Sequence, residues 1–277
     1  MKSKRKIGAK LNLTLDIIEQ KGNFHQLKSL VVELSICDFI CVKSRNDDKI
    51  TLKIKGANLP LDERNNAYKT AKLFKERFNT KGVDIFIKKK IPLGGGLGGS
   101  SADSAGVLLA MKKIFKIEDD LKELSSLLGS DVYYMLSGKS ALMQGKGEEI
   151  TKIETNKKLY FLLCPCEKEC LAKNSYAEYD RQGLLYPFCT DKAKDYYIKG
   201  DYNSLLRVMK NDLLPASIKL VPEIKENMKI LFRCGNAYMT GSGATTFSVF
   251  ESKKERNFWY RRLKKHLPLI KAQSVIK

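Results

Sequence analysis

The sequence predicts an α+β fold divided into two domains, on three observations. Apolar and polar residues alternate through much of the first sixty positions, which is the period of strands. Residues 83–115, VDIFIKKKIPLGGGLGGSSADSAGVLLAMKKIF, run from strand to glycine loop to helix. A polar stretch at 150–158 then precedes a second set of strand and helix patterns, in a chain of 277 residues that is long enough for two ordinary domains.

The elements follow in order. Residues 7–18, IGAKLNLTLDII, put Leu11, Leu13, Leu15 and Ile17 on one face of a half-buried strand. Lys10 stands at its start and Asn12 on its opposite face. Gly22 and Asn23 mark a turn before Phe24 and His25. The apolar run from Leu30 to Val42 is a central strand interrupted by Asp38, and Ile50, Leu52 and Ile54 alternate once more. The opening sheet is therefore mostly antiparallel. Ala67, Ala71, Phe74 and Phe78 recur at helical spacing, so residues 65–78 are a helix. Val83, Ile85 and Ile87 form a short strand closed by Pro92, and the small-residue run Ala105–Ala110 begins the helix beyond the glycines. A helix at 121–128 ends at Gly129. Ala141 and Met143 lead through a strand to a turn at 145–149.

Leu159–Leu163 is the strand that opens the second half. Residues 176–202 are aromatic and irregular, and 205–214 and 218–232 read as helices. MTGSGATTF, residues 239–247, is a second glycine loop between two strands. Residues 255–267 are a basic helix with Trp259, Leu263 and Leu267 on one face. There is no internal repeat and no low-complexity tract.

Composition narrows the function classes. Hydrophobic residues make up 43%, which excludes a disordered chain. No apolar run reaches transmembrane length, and the basic N-terminus has no signal-peptide stretch, so the expected compartment is the cytoplasm. The net charge of +20 predicts acidic partners: nucleotides, nucleic acid or an anionic surface. The positive residues are spread along the chain, as on a solvated Lys-rich surface. Seven cysteines are an odd number. Cys164, Cys166 and Cys170 have a metal-like spacing, but structural zinc wants four ligands and His25 and His266 are the only histidines. Reduced, mostly buried thiols and no protein-held metal are the expectation.

The glycine loop carries the chemistry. Five glycines lie between Gly94 and Gly99, ahead of Ser100, Ser101 and Asp103. Glycine lets the main chain approach a ligand closely. The first N–H groups of a helix lack intrahelical partners and sit at the positive end of its dipole, so phosphate is the natural occupant. No Lys follows the glycines as a Walker loop requires, and the loop does not belong to a first strand as a Rossmann loop usually does.

PLGGGLGGSSADSAG resembles the phosphate loop of the GHMP kinases, named for galactokinase, homoserine kinase, mevalonate kinase and phosphomevalonate kinase. Within them the chain is similar to the subfamily acting on 4-diphosphocytidyl-2-C-methyl-D-erythritol. AKLNLTLDI, KGNFHQLKSLVVELSICDFI, LLGSDVYYML and MTGSGATTFSVF match that subfamily's segments in order, and NNAYKTAKLF and GKGEEI fit at matching spacing. The departures are Ser100 at a usual glycine, Phe24 at a usual tyrosine, Asn23 in the preceding turn, Tyr133 at a usual proline, and a poor match over 180–200.

The resemblance implies a two-domain fold. A mixed-sheet nucleotide-binding domain would occupy residues 1–152, and a ferredoxin-like α+β domain residues 153–277. It implies transfer of the γ-phosphoryl of ATP to the substrate's 2-hydroxyl, a step of the non-mevalonate route to isoprenoid precursors. Such transfers depend on positioning and charge neutralisation. Pro92, Leu93, Gly94, Gly95, Gly96, Leu97, Gly98, Gly99, Ser100, Ser101 and Ala102 would hold ATP, with Asn65 on the adenine side. Taken singly, Asp131 reads as a helix cap and Lys10 as an exposed strand residue. The family context makes Asp131 the proton acceptor, and Lys10 the cation that favours its ionised form and neutralises the moving phosphoryl. Phe24 and Tyr176 would sandwich the cytosine, with His25 at its edge. Asn12 would contact the sugar alcohol, and Gly241, Ser242 and Gly243 would close over the diphosphate or form only a tight hairpin turn. Mg²⁺ would accompany ATP, touched by Ser101 or Asp103. The expected partners are these small molecules, with no nucleic acid and no membrane, in a monomer or weak homodimer.

Two rivals remain at this stage. One keeps the fold and changes the acceptor to homoserine or mevalonate. It leaves the aromatic–His pair at Phe24 and His25 without a task. The other is a basic nucleic-acid-binding protein using the helix around Arg256–Lys265, which leaves both glycine loops unexplained.

Overall fold

The computed structural model describes residues 1–22 and 24–276, so the turn expected at Asn23 lies outside the described residues. The chain runs β1 (Lys2–Asn12), β2 (Asp16–Lys21), β3 (Phe24–Ser44), β4 (Ile50–Lys55), α1 (Asn66–Phe78), β5 (Val83–Lys88) and α2 (Gly99–Phe115). There follow α3 (Lys122–Leu128), α4 (Val132–Ser137), β6 (Ser140–Gly145), β7 (Glu149–Lys152) and β8 (Tyr160–Cys164). The remainder is α5 (Ala172–Gln182), α6 (Thr190–Lys199), α7 (Tyr202–Val208), α8 (Leu214–Leu220), α9 (Glu223–Leu231), β9 (Tyr238–Met239), β10 (Thr246–Phe250), α10 (Lys253–Leu263) and β11 (Ile270–Gln273). These fall into two compact units. The first contains Met1–Ala9, Ile36–Ile91 and Gly98–Gly138, and the second Lys10–Ser35, Pro92–Leu97 and Lys139–Lys277.

In the first unit β4, α1 and β5 form a crossover. β4 and β5 pair in parallel, Ile50 opposite Val83, and parallel neighbours need such a helical connection. The other side of β5 pairs antiparallel with the end of β3, Phe39 opposite Lys88. Val83, Ile85 and Ile87 are buried, as their alternation predicts. α1 buries Ala67, Thr70, Ala71 and Phe74, a stripe at helical spacing, and its N-cap Asn65 accepts from the Ala67 N–H at 2.9 Å. α2 is small and apolar on most sides because it is a core helix, with Ala102 to Leu108 all buried. It starts at Gly99, ahead of the run at Ala105, which puts Ser100 and Ser101 in its first turn.

In the second unit the first part of β3 pairs with β2 and, on its other edge, with β6, Leu30 opposite Leu142. β7 continues from β6. A four-stranded antiparallel sheet, in the order β11-β8-β10-β9, fills the C-terminal part. α10 packs Leu263 on that sheet with Leu162 and Phe250, and Trp259 lies partly buried beside them. This mixed sheet, with helices and a second antiparallel sheet, is the α+β architecture expected.

Several local expectations are corrected. Residues 7–18 are not one half-buried strand. β1 ends at Asn12 and β2 begins at Asp16, and Asn12 and Thr14 are buried like their apolar neighbours. Both faces are covered because the polar residues find partners: the Asn12 N–H donates to Thr240 Oγ1 at 2.8 Å, and the Leu30 N–H to Thr14 Oγ1 at 3.1 Å. Asp38 does not interrupt β3, since its carboxylate is fully engaged by residues 89–91. Residues 176–202 are not irregular. They lie largely in α5 and α6, which bury Tyr179 and Tyr197. The stretch 205–214 shortens to α7, and 218–232 splits into α8 and α9 because Pro222 disfavours helical backbone at Val221.

The seven cysteines are free. Cys164, Cys170, Cys189 and Cys234 are buried, and Cys37, Cys41 and Cys166 partly so. No helix among the described residues is long and apolar enough to cross a membrane.

Candidate active site

Two glycine loops of the second unit meet backbone to backbone. Gly96 has φ +73°, and a Cβ there would stand 2.5 Å from the Thr240 carbonyl oxygen and 3.0 Å from that of Gly243. No side chain fits. The Thr245 N–H donates to the Gly95 carbonyl at 3.3 Å, tying the two loops together. Lys10 joins them. Its N–H donates to the Leu97 carbonyl at 3.0 Å, and its Nζ donates to Asn12 Oδ1 at 2.6 Å. A Cβ on Gly241 would lie 3.5 Å from that Nζ. Lys10 is only 6% exposed, so the reading as an ordinary surface residue fails.

Asn12 is held in place by three partners. Besides Lys10 and Thr240, its Nδ2 donates to Ser29 Oγ at 2.7 Å. The second loop is fixed from behind. Asn211 Nδ2 donates to the Met239 and Gly241 carbonyls at 3.1 and 2.8 Å, and Ser217 Oγ to the Ser242 carbonyl at 2.9 Å. The Gly243 N–H donates to the Thr240 carbonyl at 3.0 Å, so the segment is a tight turn.

In the first unit the loop runs into α2. Gly98 is the N-cap, with φ +71° and no capping side chain, and the Ala102 N–H returns to its carbonyl at 2.9 Å. The Gly99, Ser100 and Ser101 N–H groups precede the first intrahelical bond, as an anion site requires. Ser100 Oγ accepts from Asn66 Nδ2 at 2.7 Å. Asn65 caps α1 and donates to the Pro60 carbonyl at 2.9 Å, so much of its amide serves the fold. Asp131 precedes α4, but its side chain makes no capping bond to that helix, which removes the bland reading of this residue.

The aromatic residues expected around a base, Phe24, His25 and Tyr176, lie in the second unit. Phe24 is 55% exposed, and Lys146 Nζ sits 4.0 Å from its ring centroid. His25 stacks on Tyr176 at 4.7 Å between centroids and 17° between planes, and its Nε2 contacts Asp180 Oδ1 at 2.7 Å. One face of the Tyr176 ring is thus covered by His25. Sequence reasoning missed Asp180, Lys146, Asn66, Thr240 and Asn211. The aromatic residues at 176–186 were the available signal for Asp180, which contacts His25. The others act through partners far along the chain.

Magnesium is implied by ATP, and the residues fit only one mode of binding. No three His, Cys, Asp or Glu side chains among the described residues stand as a metal-holding group. Asp103 does not serve as a ligand: it is buried, and its Oδ2 accepts from Lys89 Nζ at 2.6 Å. Ser101 keeps a half-buried hydroxyl in the first turn of α2. These residues suit an ion carried on nucleotide phosphates with Ser101 as a protein oxygen, and do not suit a protein cage.

The family models described as GHMP kinases N terminal domain and GHMP kinases C terminal match residues 65–139 and 193–269. The chain is 34% identical to a 4-diphosphocytidyl-2-C-methyl-D-erythritol kinase of Clostridium tetani, over 94% of this chain and 95% of the relative. A solved 4-(cytidine 5'-diphospho)-2C-methyl-D-erythritol kinase superposes with a TM-score of 0.83 at 25% identity, covering 98% of both chains. A homoserine kinase from Cytophaga hutchinsonii superposes at 0.73 with 18% identity, over 99% of this chain and 95% of that one, a likeness of fold alone.

Proposed function

Because this chain belongs to the GHMP kinases, within the branch of the 4-diphosphocytidyl-2-C-methyl-D-erythritol kinases, we propose that it phosphorylates the 2-hydroxyl of 4-diphosphocytidyl-2-C-methyl-D-erythritol with ATP. The observation that carries the reading is the pair of interlocked glycine loops with Lys10 buried against them. Close-packed glycine backbone leaves room for a phosphate and Lys10 supplies a cation, and a transferring phosphoryl group needs both positioning and charge neutralisation. Residues 1–152 form the ATP-binding domain in this reading and 153–277 the second domain. The protein acts in the cytoplasm as a monomer or weak homodimer, on small molecules alone.

The bond broken joins the γ-phosphorus to the bridging oxygen of ADP, and the bond formed joins that phosphorus to the 2-hydroxyl oxygen. Residues 92–102 hold the phosphates. Lys10 neutralises charge that builds on the phosphoryl oxygens. Asp131 orients the hydroxyl and takes its proton late, once bond formation has acidified the oxygen. Magnesium supplies charge neutralisation on the phosphates when it is bound with ATP. Asn65 stays on the adenine side through the second N–H of its amide. Asn12 faces the sugar alcohol, and Gly241–Gly243 the diphosphate. For cytosine to lie between Phe24 and Tyr176, the His25 ring swings off Tyr176 to the edge of the base.

The test is ATP consumption with magnesium against a panel of the diphosphocytidyl compound, mevalonate and homoserine. Turnover confined to the cytidine compound is the expected result. Turnover with another acceptor keeps the fold and overturns the substrate. The base pocket makes a separate prediction. A stacked base is worth about 1–3 kcal/mol, so Phe24→Ala should raise the acceptor KM roughly 5- to 150-fold, with the KM for ATP unchanged. His25→Ala should act in the same direction. An acceptor KM untouched by both substitutions would exclude cytosine recognition here.

A further inference from the structure

One buried cluster is left unused by this chemistry. Lys89, Asp38 and Asp103 are 6%, 0% and 5% exposed, and all three belong to the first unit. Lys89 Nζ donates to Asp38 Oδ2 at 2.5 Å, to Asp103 Oδ2 at 2.6 Å and to the Gly99 carbonyl at 3.2 Å. Asp38 Oδ1 in turn accepts from the Lys90 and Ile91 N–H groups at 2.6 and 2.9 Å. These contacts bracket the glycine loop. Residues 89–91 lead into it, and Gly99 and Asp103 are the first turns of the helix that leaves it.

We propose that Lys89, Asp38 and Asp103 form a staple that sets both ends of the phosphate loop, and that they are positioning residues for ATP. The proposal rests on the kinase reading above.

A merely structural role accounts poorly for the cluster. One lysine against two carboxylates leaves net negative charge in the interior, and a buried ion pair stabilises no better than apolar side chains filling the same space. Asp103 sharpens the point. Its Oδ1 is buried without a hydrogen-bond partner among the described residues. Directional bonds supply what an apolar core cannot: they fix where β5 ends and where α2 begins, so the glycines between are ordered before the nucleotide arrives. Preorganisation of this kind appears as affinity.

The test compares the triple variant Lys89→Met/Asp38→Asn/Asp103→Leu with wild type in KM for each substrate, kcat, and calorimetric binding of ADP. Removing all three charges together avoids stranding one of them in the core. The expected result is a KM for ATP and a Kd for ADP raised about 10- to 100-fold, with the acceptor KM within about twofold, since the staple bears on one substrate. Asp103→Asn, which still offers Lys89 an acceptor, should stay within about threefold of wild type. If the triple variant does not fold, Asp103→Leu alone is the deciding case, because Lys89 keeps Asp38 and only the helix end is released. A nucleotide affinity unchanged in these variants, in a wild type that binds ADP and turns over, overturns the staple alone. A wild type that binds no nucleotide overturns the staple and the kinase reading together.

Discussion

Asp131→Asn is expected to cut kcat by about a thousandfold, within the range that general-base removal produces, while the KM for ATP stays near the wild-type value. The amide keeps the size of the carboxylate and can still accept a hydrogen bond, but it cannot take a proton. Because the Asp131 side chain makes no capping bond to α4, the substitution does not strip that helix of a cap. A melting curve that superposes on wild type would confine the loss to chemistry. Retention of a tenth or more of the turnover would place the base elsewhere.

Gly96→Val should be nearly as severe for a different reason. The substitution forces a side chain into a left-handed backbone, with φ +73°, and against the Thr240 carbonyl at 2.5 Å. The first effect costs about 1–2 kcal/mol and the second about 1–3 kcal/mol. Both atoms in the collision are backbone-bound, so relief comes only by parting the two loops. If that free energy is drawn from nucleotide binding, the KM for ATP rises roughly 30- to 4000-fold. Gly183→Ala is the control. It shares the left-handed backbone, with φ +60°, and a Cβ there meets nothing within 4 Å. It should cost a little thermal stability and leave the KM for ATP alone. An unchanged ATP affinity in Gly96→Val would sink the idea that the interlocked loops hold the nucleotide.

Local patterns made much of this molecule legible. The alternation at Val83, Ile85 and Ile87 and the stripe at Ala67, Ala71 and Phe74 are set by burial of one face, so the sequence itself displays them. The glycine loops were legible for the same reason, since only glycine satisfies the backbone there. What escaped depends on distant partners. Asp38 looks like a strand breaker until Lys89, 51 residues on, is seen to take its charge. Asn12 and Thr14 look like the wet face of a strand until Thr240 and Leu30 supply their hydrogen bonds. Asn211 gives no local sign of holding a loop about thirty residues ahead. The tyrosines of α5 and α6 obscured two helices because an aromatic residue serves equally well in a loop or a core.

The thiols of this chain form a graded set of internal reporters. Burial pushes Cys164 and Cys189 up to about 12 and Cys166 and Cys234 up to about 11, so at neutral pH almost none of these sulfurs is in the nucleophilic form. Alkylation of a buried cysteine then proceeds only through transient opening of the segment around it, and its rate measures the free energy of that opening. Cys166 donates from Sγ to the Ala244 carbonyl at 3.0 Å, at the edge of the second glycine loop. Its alkylation, from a partly buried position bonded to that loop, follows the loop's local state, while Cys234, buried behind the four-stranded sheet, times the opening of the core. A ligand that tightens the loop should slow the first clock and leave the second running at its own pace.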